Sequence, residues 1–172
     1  MKKIAKFLAV VIAASVFCLN ASAQLTATSS ATAVIYSALT ITNTQDLDFG
    51  VIIPSGVAGT VAMDAAGAVT LTNVTAHPSS NPLPAVFHVV GEPGETYDIA
   101  ITNPPITLTG PGANTMTISA IVSNPAEGLN AGLLDGTGVQ DISVGGTLNV
   151  GINQAAGTYT NANAITVTIN YN

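Results

Sequence analysis

Positive charge is almost missing from this sequence. Its 172 residues include only three basic ones, Lys2, Lys3 and Lys6, against nine aspartates and glutamates. From residue 24 onward there is no lysine and no arginine, so that part carries a formal charge of −9 with His77 and His88 neutral. Nucleic-acid binding requires cations to neutralise phosphates, and attraction to anionic headgroups requires the same. Neither partner is expected. No ion pair to Lys or Arg and no lysine isopeptide crosslink can form beyond residue 23. Burial and hydrogen bonding must therefore hold the fold.

Tryptophan is also absent, and aromatic residues make up 5% of the chain. Sugar-cleaving clefts lean on large aromatic surfaces, so paired carboxylates for glycoside hydrolysis are not expected here. Beyond the leader the aromatics are Tyr36, Phe49, Phe87, Tyr97, Tyr159 and Tyr171. They are too few for the two girdles of an outer-membrane barrel. The single cysteine is Cys18. A chain that begins after it has neither disulfides nor thiol chemistry.

The leader explains where the lysines are. Lys2, Lys3 and Lys6 precede or open an almost wholly apolar run over residues 7–19. Ala21 and Ala23 then occupy the −3 and −1 positions of a signal-peptidase site. The run is short of the roughly 20 residues a membrane helix needs. Phe17, before Cys18, is too large for a lipobox. We expect residues 1–23 to be a Sec export signal and the mature chain to begin at Gln24. That chain has no stable membrane span and resides in the periplasm, on the cell surface or outside the cell.

The remainder is rich in Thr, Ala, Val, Ile, Asn and Gly, a mixture suited to strands and turns. Residues 25–41 alternate, with Leu25, Ala27, Ser29, Ala31, Ala33 and Ile35 on one face. Further strands are expected at residues 47–53, 60–63, 68–74, 85–90, 96–102, 106–108, 116–122, 140–144, 147–152 and 159–171. Residues 64–67 read as a hairpin turn. Residues 77–84 read as a Pro-rich loop, and 123–138 as a loop with room for one helical turn at 126–134. Many short strands with Gly, Pro and Asn punctuation imply an all-β fold, a Greek-key sandwich or barrel. The organisation expected is a leader at 1–23, an N-terminal strand at 24–38 and one domain at 39–172.

Catalytic signals are missing. No G-x-S-x-G, phosphate loop or H-E-x-x-H pair occurs. His77 precedes Pro78 in a loop, and His88 alternates with Phe87 and Val89, so it faces outward. No enzyme activity and no cofactor are expected. Two acidic groups have the oxygen chemistry for calcium: Asp46 with Asp48 at i, i+2, and Glu92, Glu95 and Asp98 around a Gly/Pro turn. Neither has EF-hand spacing. Turn capping and solubility account for them without a metal.

Several stretches resemble a known family. They are Leu39-Thr40-Ile41 through Asp46-Leu47-Asp48-Phe49-Gly50, then Gly91-Glu92-Pro93-Gly94-Glu95-Thr96-Tyr97, then Val144-Gly145-Gly146-Thr147-Leu148. The closing stretch is Gln154-Ala155-Ala156-Gly157-Thr158-Tyr159 with Val167-Thr168-Ile169-Asn170-Tyr171. Together they resemble small secreted bacterial proteins known only as a domain of unknown function. The last part also resembles the spore coat protein U domain and subunits of archaic chaperone–usher pili.

The pilin resemblance implies an immunoglobulin-like sandwich lacking its last strand, completed by a neighbour's N-terminal strand. Leu25, Ala27, Ala31, Ala33 and Ile35 would then be the donor face. Ile165, Val167, Ile169 and Tyr171 would be the edge that receives it. The partners implied are further copies of the chain in fibres, a periplasmic chaperone and an usher. Residues 161–164 interrupt the alternation, and the small donor side chains bury little area. The same strand has a second use, closing its own domain. In that case the protein is a self-contained monomer binding a carbohydrate or protein ligand. In either case nine carboxylates without cations repel one another. Melting temperature or self-association is expected to rise as pH falls from 7 toward the calculated isoelectric point of about 4.3.

Overall fold

Alternating side chains settle which face of each strand is covered. In the strand Ala85–Val90, residues Ala85, Phe87 and Val89 are buried, while Val86 and His88 lie between them half-exposed. In Thr96–Ile101 the buried set is Tyr97, Ile99 and Ile101. The computed structural model describes residues 24–102 and 104–172, and the expected export signal at 1–23 lies outside them.

The described residues form twelve strands and one 3-10 turn (Pro111–Ala113). The first six strands are β1 (Thr40–Gln45), β2 (Ile52–Pro54), β3 (Gly59–Met63), β4 (Val69–Thr72), β5 (Val74–Ala76) and β6 (Ala85–Val90). The others are β7 (Thr96–Ile101), β8 (Ile106–Thr109), β9 (Thr115–Asn124), β10 (Gly128–Leu133), β11 (Val139–Val150) and β12 (Val167–Tyr171). All pairings are antiparallel. One sheet runs β1-β6-β11-β3-β4, with β9 and then β8 attached to β11. A second runs β10-β7-β12, and β2 pairs with β5 alone. The protein is an all-β sandwich.

The core has two centres. One holds Phe87, Val89, Tyr97, Ile99, Ile101, Leu134, Ile142 and Val144. The other holds Phe49, Val61, Met63, Ile106, Leu108, Met116, Ile118, Leu148 and Val150. Strand β11 serves both. Its first half pairs with β6 through Val144↔Ala85, and its second half pairs with β3 from Gly146↔Met63. The expected hairpin is present as β3–β4, where Asp64 Oδ1 accepts from the Ala66 and Ala68 amides at 2.9 and 2.8 Å.

The structure corrects the sequence reading at several places. The strand expected at 68–74 breaks at Asn73 into β4, which pairs with β3, and β5, which pairs with β2. Residues 140–144 and 147–152, expected as two strands, are one strand, because Gly145 and Gly146 lie inside the ladder. The expected loop at 123–138 contains β10, and no helical turn forms at 126–134. Gly128, Asn130 and Gly132 disguise that strand, since they lack β propensity. The strand expected at 159–171 is confined to Val167–Tyr171. The strand expected at 47–53 shrinks to Ile52–Pro54, although Phe49 still enters the core. Within the single chain no backbone pairs with residues 24–39, and they carry no strand there.

Candidate assembly site at an open edge of the sandwich

Strand β12 bonds β7 on one side only, in the register Val167↔Ile101 to Tyr171↔Tyr97. Strand β1 bonds only β6, from Thr40↔Val90. Among the described residues neither has a partner on its other side. Leu39 and Ile41, at the start of β1, pack half-exposed against the same core centre as Ile165, Val167, Ile169 and Tyr171. Both unpaired edges thus carry half-buried apolar side chains that pack on one core centre, and all four expected receiving residues are among them. Sequence reasoning places Leu39 and Ile41 at the start of the domain but does not name them among the interaction residues.

The expected donor residues have the opposite environment. Leu25 is 95% and Ile35 91% exposed, and Ala27, Ala31 and Ala33 are exposed as well. No residue from 24 to 38 is charged.

Just before β1, a closed set of hydrogen bonds forms within the domain. The Ser37 amide donates to Glu92 Oε2 at 2.9 Å. The Tyr171 hydroxyl donates to the Ser37 carbonyl at 3.1 Å and accepts from the Glu92 amide at 2.6 Å. The Tyr36 ring stands edge-on to that of Tyr171, with centroids 6.3 Å apart. Gly91 is required beside it, since a β-carbon there would collide with Tyr171 Oη, Leu134 and Leu39.

Glu92 and Glu95, put forward for calcium, are therefore engaged with the chain itself. The Ser37 amide holds the Glu92 carboxyl below its ordinary 4.5. Glu95, accepting a hydrogen bond from Tyr36, pushes that phenol up. Asp98 accepts from the Asn130 amide at 2.8 Å, and Asp48 from the Gly50 amide at 2.7 Å. Asp46 and Asp48 are both exposed. Among the described residues no three His, Cys, Asp or Glu side chains come together as metal ligands. His88 pairs through Nδ1 with Asp141 Oδ1 at 2.7 Å on the outer face of β6 and β11. His77 Nδ1 meets Ser79 Oγ at 2.8 Å in its loop.

These carboxylates set a limit on acid stabilisation. Asp135 is held below its ordinary 3.8 by the Thr137 hydroxyl, then by the Val139 and Thr137 amides. A carboxyl depressed in the folded state adds stability above its unfolded value and loses it as pH falls through the folded one. Relief of general repulsion acts from pH 7 downward, and the losses at Glu92 and Asp135 begin below about 4.5. The melting temperature is expected to rise as pH falls from 7, pass a maximum and drop below it. Melting curves between pH 7 and 3 test this, and a monotonic rise to pH 3 would contradict it.

The geometry defines an antiparallel β-sandwich with two strands, β1 and β12, each bonded on one side only. Within that class, the chain belongs to the family described as a domain of unknown function (DUF4402), whose model matches residues 39–171. No curated protein and no solved structure matches the chain.

Proposed function

We propose that this is a non-enzymatic structural or adhesive subunit, exported to the cell surface, that polymerises by lending residues 24–35 to the open edge of a neighbour. One observation carries the reading. An exposed, uncharged, alternating segment accompanies an apolar edge strand bonded on one side only. Unpaired apolar edges invite aggregation, and proteins cover them. Donation in trans covers this one. It also avoids repulsion, because the donor brings no charge to a domain carrying nine carboxylates. An immunoglobulin-like sandwich missing one strand, served by a chaperone and an usher as in pili, is the finer form of the proposal.

A synthetic peptide of residues 24–35 added to a chain beginning at residue 36 tests it. Ligand at a hundred times its Kd adds about 2.7 kcal/mol, so the melting temperature should climb by roughly 5–10 °C and saturate. No shift at millimolar peptide would refute the reading.

A further inference from the structure

The donor segment is poorly equipped to choose its own register. Successive residues on its apolar face are Leu25, Ala27, Ser29, Ala31, Ala33 and Ile35. A slip by two residues keeps the same face inward. It merely exchanges Ala for Ser or Ala at the centre, where little apolar area distinguishes the alternatives. The segment is also more than twice as long as β12, which has five residues. Side chains alone therefore leave several pairings nearly equal.

The receiving edge supplies what the donor lacks. The bonds among Ser37, Glu92 and Tyr171 join the chain entering β1 to the last residue of β12, and so tie the two unpaired edges together at one end. Tyr36 adds its ring against Tyr171 at the same place. A strand lying along β12 between the edges cannot pass this point while the bonds hold, since Tyr171 Oη and the Ser37 carbonyl occupy the space at 3.1 Å.

We propose that this clasp is the end stop that fixes the register of the donated strand, with Glu92 and Tyr171 as its positioning residues. The inference rests on the donation reading and adds to it how one pairing is selected. Sliding toward the clasp meets packed aromatic side chains and a closed hydrogen-bond set. Sliding away gives up pairing along a strand of only five residues.

The mature chain has no cysteine, so introduced thiols report register cleanly. Thr168 is exposed at the second position of β12, on the outward face. Full-length mature chains carry Thr168→Cys together with one donor cysteine replacing Thr26, Thr28, Ser30, Thr32 or Val34. Only directly opposed residues are close enough to bridge. After mild oxidation, intermolecular products are read on non-reducing gels against Thr168→Cys alone.

With the clasp intact, one donor position should give the dominant product. In a Tyr171→Phe or Glu92→Ala background, each checked for an unchanged cooperative melt, the product should spread to positions two residues away in comparable yield. A single position that persists in both backgrounds overturns the end stop and leaves donation standing. A spread already present with the clasp intact overturns it as well. No crosslink at any position, with the clasp intact or broken, overturns donation and the end stop together.

Discussion

Replacing Ala31 or Ala33 by aspartate is expected to abolish polymers while leaving the melting temperature of the domain unchanged. Both residues are exposed in the isolated chain, so a carboxylate there stays in water. Surface substitutions of this kind normally change stability by less than about 0.5 kcal/mol. In the proposed assembly the same positions face an apolar strip containing Val167 and Ile169, and no lysine or arginine of a mature subunit can pair with the new charge. Burying an unpaired charge costs several kcal/mol, and each 1.4 kcal/mol is tenfold in affinity. Association should weaken by at least about a hundredfold, enough to remove the ladder on unboiled gels and the early peak in size-exclusion chromatography. Substituting Ala31 by Ser should leave assembly close to wild type. If the segment instead closed its own domain, aspartate would lower the melting temperature, and that result would defeat the proposal.

The second large effect concerns folding. Gly145 sits where β11 leaves β6 and joins β3. A β-carbon built there lies 2.5 Å from Asp64 O and 2.6 Å from Asp64 C, and closer still to Met63 O. All three are backbone atoms at the end of a strand, so no side-chain rotation relieves the clash. Gly145→Ala should cost about 3 kcal/mol, the upper part of the range for overpacking. That lowers the melting temperature by roughly 10 °C. Gly136→Ala is the matched control. No atom lies within 4 Å of its β-carbon position and its φ is not in the left-handed region. It should be neutral or stabilise by up to about 1 kcal/mol, through the unfolded chain. Equal melting temperatures for the two variants would disprove the account of the switch in β11.

Tyr97 shows how closely the two layers fit. It is fully buried, its hydroxyl donates to Gln140 Oε1 at 2.7 Å, and burial pushes the phenol up to about 12. Its ring occupies the space that a β-carbon on Gly132 would need. The glycine that hides β10 from a sequence reading is thus the residue that lets β10 approach β7.

What the sequence determined by itself follows from local periodicity and composition. Alternation at Ala85–Val90 and Thr96–Ile101 marks their covered faces, and Asp64 with Gly67 marks the β3–β4 turn. The absence of Lys and Arg beyond residue 23 rules out their ion pairs within that part of the chain wherever it goes. The half-buried face of β12 was legible for the same reason, since Val167, Ile169 and Tyr171 alternate. Tertiary structure alone decided the rest. Gly145 and Gly146 read as breaks but continue a strand, because the backbones that crowd them belong to β3 and β9. Glu92 read as a possible cation ligand but holds the Ser37 amide, and Tyr171 reaches Ser37 across 134 residues of sequence. Periodicity reports which face of a strand is covered. It carries no information about which distant backbone arrives at an edge, and that depends on packing the whole sandwich at once.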